Sequence, residues 1–172
     1  MRLDIWVAHK GLVASRSQAE SYIRMGKVTV NGKVVTKPGS AVNEDDVVSI
    51  SADEQYVGRA ALKLKGADQA FRIDWRNKTV LDVGSSTGGF TQYALKHGAK
   101  KVFAVDVGTN QLHPSLRTDE RIELHEKTDI RDFMTKEDIN IEVGDVSFIS
   151  LREILPHVAS LITLETVVVA MV

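Results

Sequence analysis

The spacing of apolar positions changes near residue 58 and divides the chain in two. Before that point, Leu3 and Val7 lie one helical turn apart and predict a short helix with one buried face. Ser17-Gln18-Ala19-Glu20 has capping-box spacing and predicts the start of a second helix, with Gly26 as its left-handed stop. Residues 27–30 and 33–36 then alternate around Asn31-Gly32, the dipeptide that most readily takes the two positive φ angles of a tight hairpin turn. Pro38-Gly39 turns the chain again, and Asp46-Val47-Val48-Ser49-Ile50 reads as a further strand.

After the acidic connection Asp53-Glu54, apolar runs alternate with helical patterns, the signature of a parallel sheet with crossover helices. Strands are predicted at Thr79–Val83, Lys101–Val107, Arg121–His125, Glu142–Phe148 and Val167–Val172. Helices are predicted near 60–72, 88–97, 130–138 and 150–162. The expected fold is α/β: a small α+β domain over residues 1–58, then a Rossmann-like domain over 59–172 with a mostly parallel sheet. An apolar parallel strand is normally buried on both faces, and nothing follows Val172 to bury the last one. The sheet is therefore expected to be incomplete at its C-terminus.

Composition narrows the class without naming a function. The chain has 172 residues with 43% hydrophobic and 26% charged positions, which fits a folded globular protein. Its longest apolar stretch, 167–172, falls short of the roughly 18–20 residues a bilayer crossing needs, and the N-terminus lacks a signal peptide's order, so a cytoplasmic location is expected. There is no cysteine, which removes disulfides, thiolate zinc sites and cysteine nucleophiles, and His9, His97, His113, His125 and His157 show no metal-ligand spacing. No metal is expected. The net charge of −1 hides a segregation: residues 1–43 carry +5, residues 44–58 carry −5, residues 59–78 carry +4 and the remainder −5. Such separation suggests a polyanionic partner read by one part of the chain and different chemistry in the other.

The first part carries Arg2-Leu3-Asp4, Gly11-Leu12, Ser15-Arg16, Ala19, Ile23, Gly26-Lys27-Val28, Val30-Asn31-Gly32, Lys37-Pro38 and Asp46-Val48-Ile50. In that order they resemble the S-four RNA-binding domain found in a small-subunit ribosomal protein, pseudouridine synthases and tyrosyl-tRNA synthetases. The resemblance implies RNA contacts from Arg2, Arg16, Arg24 and Lys27, with Lys33 nearby, against the phosphate backbone. For Arg24 a helix pair with Glu20, four residues earlier, is an alternative that needs no RNA.

In the second part, Val80-Leu81-Asp82-Val83-Gly84-Ser85-Ser86-Thr87-Gly88-Gly89-Phe90 delivers a strand into a glycine-rich turn before a helix. Ser86 stands where a dinucleotide fingerprint needs its second glycine, and Gly89 is followed by Phe90 rather than the Lys of a P-loop. Both phosphate-binding readings weaken. The segment resembles the S-adenosylmethionine loop of class I methyltransferases, which implies cofactor contacts from Asp82, Gly84, Ser85, Gly88, Gly89 and Phe90. Asp106 ends the next strand 22 residues after Gly84, where an acid can take ribose hydroxyls, and Asp129 follows the third strand, where that fold usually holds the adenine. For either acid, capping a following helix is the alternative.

Lys63 lies on a helical face with Ala60, Ala67 and Ala70, beside a Leu64/Phe71 core stripe, whereas Lys65 falls with Asp68, Gln69 and Arg72. A lysine among small apolar side chains is expected to be partly desolvated and usable in proton chemistry, or else to snorkel. Asp145 ends the fourth strand and should point into the same crevice as Gly84 and Asp106. With the Arg59-to-Leu64 run, the glycine turn and the preceding RNA-binding domain, the chain resembles the TlyA family of haemolysin-labelled RNA methyltransferases. Its second domain is like the FtsJ-type enzymes, which methylate ribose 2′-hydroxyls with a Lys-Asp-Lys-Glu tetrad. That resemblance implies S-adenosylmethionine as cofactor, ribosomal RNA or a ribosomal subunit as partner, and Lys63 and Asp145 as the first two tetrad members. The other two would fall beyond Val172, so this chain is expected to be inactive by itself. The competing functions are a non-catalytic RNA-binding protein and a pore-forming haemolysin; the latter would need a membrane-inserting segment that the sequence lacks.

Overall fold

A computed structural model describes every residue except Ala14, residues 52–55, Phe148 and Val172. The acidic connection Asp53-Glu54 therefore lies outside the described residues, as do the last positions of two predicted strands. The chain forms two compact units, Met1–Arg59 and Ala60–Val172.

In the first unit, helices α1 (Leu3–His9) and α2 (Arg16–Arg24) precede a three-stranded antiparallel sheet of β1 (Val28–Val30), β2 (Lys33–Val34) and β3 (Val48–Ile50), ordered β2-β1-β3. Leu3, Val7, Ala19, Tyr22, Ile23, Val28 and Val42 form its core. The cap of α2 is Ser15 rather than the predicted Ser17: its hydroxyl accepts from the Gln18 backbone N–H at 3.2 Å. Ser15-x-x-Gln18 meets the capping-box rule as well as Ser17-x-x-Glu20 does, and the extended backbone at Ser15 decides between them. Gly26 is left-handed beyond the helix end, and Asn31 and Gly32 have φ of 51° and 76°, which closes the β1–β2 hairpin.

The second unit is built on a five-stranded sheet ordered β6-β5-β4-β7-β8, every pairing parallel. Its elements are α3 (Ala60–Phe71), β4 (Thr79–Val83), α4 (Gly89–Lys96), β5 (Lys101–Val105), β6 (Ile122–His125), β7 (Ile139–Gly144), α5 (Leu151–Leu161) and β8 (Ile162–Ala170). Leu81, Val83, Phe103, Val105, Phe133, Ile154 and Val158 pack one face of the sheet against α5. The chain reverses its progress across the sheet between β4 and β7, the switch point at which open α/β folds place ligands.

Several predicted elements are corrected. The helix expected at 130–138 is only a 3₁₀ turn, Ile130–Asp132, because the polar run Thr135-Lys136-Glu137-Asp138 offers no apolar face to bury. β7 begins three residues before the predicted strand and ends at Gly144, so Asp145 stands just outside it. β8 begins directly after α5, five residues before the predicted strand, and lies at the edge of the sheet with Leu164, Val167 and Val168 exposed. Phe71 is 75% exposed at the end of α3, so the apolar stripe there is carried by Ala61 and Leu64.

Candidate cofactor and RNA sites

The carboxyl ends of β4, β5, β6 and β7 surround a cavity of about 420 Å³, lined by Gly84, Asp106, Asp129 and Asp145 with apolar walls that include Val83, Val105, Val107, Ile130 and Ile149. Three of the residues that shape the turn from β4 into α4 are left-handed: Gly84 (φ 77°), Ser86 (φ 48°) and Gly88 (φ 92°). A Cβ on Gly84 would meet Val146 Cγ1 at 3.2 Å, and one on Gly88 would lie 2.5 Å from Leu116 Cδ1 and 2.6 Å from Leu112 Cδ1. The positive φ favours glycine at both positions, and a side chain there would also have to displace these neighbours. Ser86 holds a left-handed conformation at the place where a dinucleotide fingerprint would put glycine, and its N–H is committed to Asp106.

Asp106 does not cap a helix. Its Oδ2 accepts the Ser86 N–H and its Oδ1 the Gly108 N–H, both at 2.7 Å, which fixes the carboxylate at the cavity wall. Each oxygen keeps a further lone pair for a ligand donor. Asp129 combines both readings: it lines the cavity, caps the 3₁₀ turn through the Arg131 N–H, and holds the Arg131 guanidinium at 2.9 and 2.7 Å. That side-chain pairing, followed by the backbone N–H, brings its carboxyl down to about 2.

Lys63 on α3 and Asp145 after β7 meet directly, Nζ to Oδ2 at 2.6 Å. The lysine side chain is 56% exposed, so the partial desolvation expected from its alanine neighbours is corrected: much of the side chain meets solvent while its ammonium pairs with Asp145. Ser150 takes the α5 cap, its hydroxyl accepting the Arg152 N–H at 3.2 Å, which leaves the Asp145 carboxylate to the lysine.

The remaining loop residues stand behind the turn. Asp82 is buried in β4, its Oδ2 accepting the Thr91 hydroxyl at 2.6 Å and its Oδ1 without a partner among the described residues. Burial is the main reason its carboxyl is pushed up to about 7. Phe90 is 2% exposed and packs in the interior, because α4 turns its first apolar residues toward the sheet. Ser85 is buried with an unpartnered hydroxyl, Gly88 is the N-cap of α4 and Gly89 its first residue. None of these five lines the cavity. Sequence reasoning missed Gly108, Gln111, Thr128, Val146 and Ser147, which do. Their one available signal was position: each follows a strand's carboxyl end within a few residues.

The donor set fits S-adenosylmethionine. Of the three carboxylates at the cavity, Asp129 and Asp145 are paired with Arg131 and Lys63, which leaves Asp106 with lone pairs for a ribose diol such as that of S-adenosylmethionine. The glycine positions let the backbone approach closely, and the apolar walls suit an adenine ring.

In the first unit, Asp4 is fully buried in the first turn of α1 and is clasped by two arginines. Arg2 binds it through both nitrogens at 3.0 Å, and Arg16 Nε lies 2.9 Å from Oδ2. Both arginine side chains remain about half exposed, at 51% and 52%. The alternative pairing for Arg24 is not formed: Glu20 lies 3.6 Å from Arg16 instead. Arg24 is exposed, and Lys27, just before β1, is half-buried.

Residues 56–171 match the FtsJ-like methyltransferase family model, and residues 1–48 match the S4 domain. The chain is 45% identical over 161 residues to Hemolysin A of Brachyspira hyodysenteriae, covering 91% of this chain and 67% of that protein. It is 41% identical over 179 residues to the 23S rRNA (cytidine-2′-O)-methyltransferase TlyA of Campylobacter jejuni, covering 94% and 70%. The chain belongs to the TlyA family of FtsJ-like methyltransferases. A solved hemolysin-named protein from Streptococcus thermophilus superposes with a TM-score of 0.66 at 37% identity, over 99% of this chain and 64% of that one. The TlyA-family chain spans 59% to 70% of the length of curated relatives such as these. Among the described residues no helix is long and apolar enough to cross a membrane, and no cluster of three His, Asp or Glu could hold a metal ion.

Proposed function

We propose that this chain binds ribosomal RNA through residues 1–58 and S-adenosylmethionine through residues 59–172, as part of a cytoplasmic enzyme that methylates a ribose 2′-hydroxyl. The observation that carries the reading is the 2.6 Å pair between Lys63 and Asp145, with Asp145 lining the same cavity as Gly84 and Asp106. S-adenosylmethionine, when bound, supplies an electrophilic methyl group. Asp106 receives the cofactor's ribose hydroxyls, Gly84 lets the backbone approach it, and Asp129 borders its adenine. Asp145 orients Lys63 toward the substrate hydroxyl, so that positioning provides much of the rate. Arg2, Arg16, Arg24 and Lys27 meet RNA phosphates; for Arg2 and Arg16 this uses the outward faces that Asp4 leaves open.

Calorimetry and methyl transfer test the two halves. Asp106→Ala should weaken S-adenosylmethionine binding by about 1–3 kcal/mol, the cost of stranding buried hydroxyls. In a protein of the relatives' full length, Lys63→Ala or Asp145→Ala should lower radiolabel incorporation into ribosomal RNA by roughly 10²–10⁴-fold with cofactor binding retained. Folded protein that binds neither S-adenosylmethionine nor S-adenosylhomocysteine at millimolar concentration would overturn the reading. Binding of both ligands with no methyl transfer, even in a protein of the relatives' full length, would make it a non-catalytic RNA binder.

A further inference from the structure

Of the second basic stretch of the sequence, residues 59–78, Lys63 pairs with the cavity-lining Asp145, but Arg72, Arg76 and Lys78 do not line the cavity. These three lie on the turn between α3 and β4. The fold brings that turn against the one between α4 and β5. The Asn77 N–H donates to the Gly98 carbonyl at 3.0 Å, the Lys100 N–H donates to the Lys78 carbonyl at 2.9 Å, and a Cβ on Gly98 would touch Arg76 Cγ at 3.2 Å. Lys96, His97 and Lys100 thereby join the first three, and all but Lys78 are exposed.

The two turns carry five bases against one acid, Asp74, whose carboxylate lies 3.2 Å from Arg76 on the exposed surface. On neighbouring turns, Asp119 pairs with Arg121 at 2.7 Å and Glu137 with Lys101 at 2.5 Å, while Glu120 and Asp138 are exposed. The patch precedes β4 and β5, whereas the cavity follows them. Five-residue strands separate the two by about 15–17 Å, the reach of several nucleotides.

We infer that Arg72, Arg76, Lys78 and Lys100 form a second phosphate-backbone contact for RNA at the amino end of the sheet, opposite the cofactor cavity. The inference rests on the functional reading above. It implies an RNA that is folded or long enough to reach the cavity mouth and the far end of the same unit together. A short strand laid across the cavity alone would not suffice.

The experiment compares wild type with the triple variant Arg72→Gln, Arg76→Gln, Lys100→Gln. It uses transcribed large-subunit ribosomal RNA across a salt series and S-adenosylmethionine calorimetry on the same samples. Buried Trp75, between Arg72 and Arg76, reports by fluorescence whether the region stays folded. The expected result is at least a tenfold loss of RNA affinity at about 150 mM salt, with a salt slope shallower by roughly two to three. Cofactor affinity should stay within twofold. A folded triple variant with the wild-type affinity and slope would overturn the patch while leaving the functional reading intact. Wild-type protein that binds no ribosomal RNA would overturn both. If the glutamine triple variant fails to fold, Lys100→Gln alone, on an exposed turn, should still flatten the slope by about one, and no change would overturn the patch.

Discussion

Asp4 and Asp82 are both buried aspartates, and their surroundings shift them in opposite directions. In the first unit, Asp4 is bound by the Arg2 guanidinium and then by Arg16. These hydrogen-bonded charges outweigh desolvation and hold its carboxyl well below the usual range. In the second unit, Asp82 accepts the Thr91 hydroxyl, but burial, with the negative charges of Asp106 and Asp145 added to it, outweighs that bond and raises the carboxyl to about 7. Glu142, buried on the adjacent strand β7, is raised to about 7 by burial and by the charge of Asp82. Burial raises an acid unless charged donors such as Arg2 and Arg16 offset it. Asp4 is kept ionised as a clamp for two arginines of the proposed RNA face. Asp82 and Glu142 are raised mainly by burial, to which the charges of neighbouring carboxylates add.

The largest expected effect comes from stripping Asp4 of its partners. Arg2→Met with Arg16→Met leaves a buried carboxylate unpaired and should lower the unfolding midpoint of the first unit by roughly 15 °C or more. The chain has two tryptophans, Trp6 in the first unit and Trp75 in the second, so single Trp→Phe backgrounds read each unit separately. A drop in the Trp6 signal with the Trp75 signal unmoved is the expected pattern, and equal midpoints in the first unit would mean that the clamp contributes nothing.

How legible this was in the sequence depends on range. The Asn31-Gly32 hairpin and the left-handed stop at Gly26 are written in adjacent residues, and the structure forms both. The spacing from Gly84 to Asp106 was also readable, because strand, turn, helix and strand have nearly fixed lengths in this fold, and both residues do line one cavity. The Lys63–Asp145 meeting spans 82 residues and came from family resemblance, not from periodicity. The burial of Asp4 was hidden. A charged residue in a first helical turn usually faces water, and only the long-range clasp by Arg16 with the sheet-side packing of α1 turns it inward. The same limit explains Asp82 and Phe90. A glycine-rich segment names the turn, but which neighbours face the ligand and which face the sheet depends on the strand's rotation in the finished fold.

A smaller effect should separate the second unit by pH. A carboxyl whose folded value is raised holds a proton that the unfolded chain releases. Stability therefore falls as pH rises from about 4 to about 7 and stays low above that window. Asp82→Asn keeps an acceptor for Thr91 and removes the charge. At pH 8 it should stabilise the second unit by on the order of 2 kcal/mol, and it should flatten the fall between pH 5 and pH 8. Denaturant titrations followed through Trp75 at the two pH values give the comparison. A wild-type second unit more stable at pH 8 than at pH 5 would mean that Asp82 is ionised in the folded state.

The smallest effect on stability concerns a pair with the same local geometry as Arg2 and Asp4. Asp129 and Arg131 are also two residues apart and also joined through both guanidinium nitrogens, but their side chains are 28% and 48% exposed. Water already solvates much of both charges, so the pair adds little to folding even though it brings the carboxyl to about 2. Arg131→Ala should therefore leave the Trp75 unfolding curve where it is. Asp129 should meanwhile move toward the ordinary aspartate range near 4, read by NMR titration of its side-chain carboxyl. Because the folded value is lowered, what the pair does contribute is present above about pH 4 and lost as pH falls toward 2, so any difference between variant and wild type should appear at neutral pH and vanish in acid. A large loss of stability in Arg131→Ala at pH 7 would show that the two clasps are energetically alike, and that exposure is not what distinguishes the acid beside the cavity from the acid beneath α1.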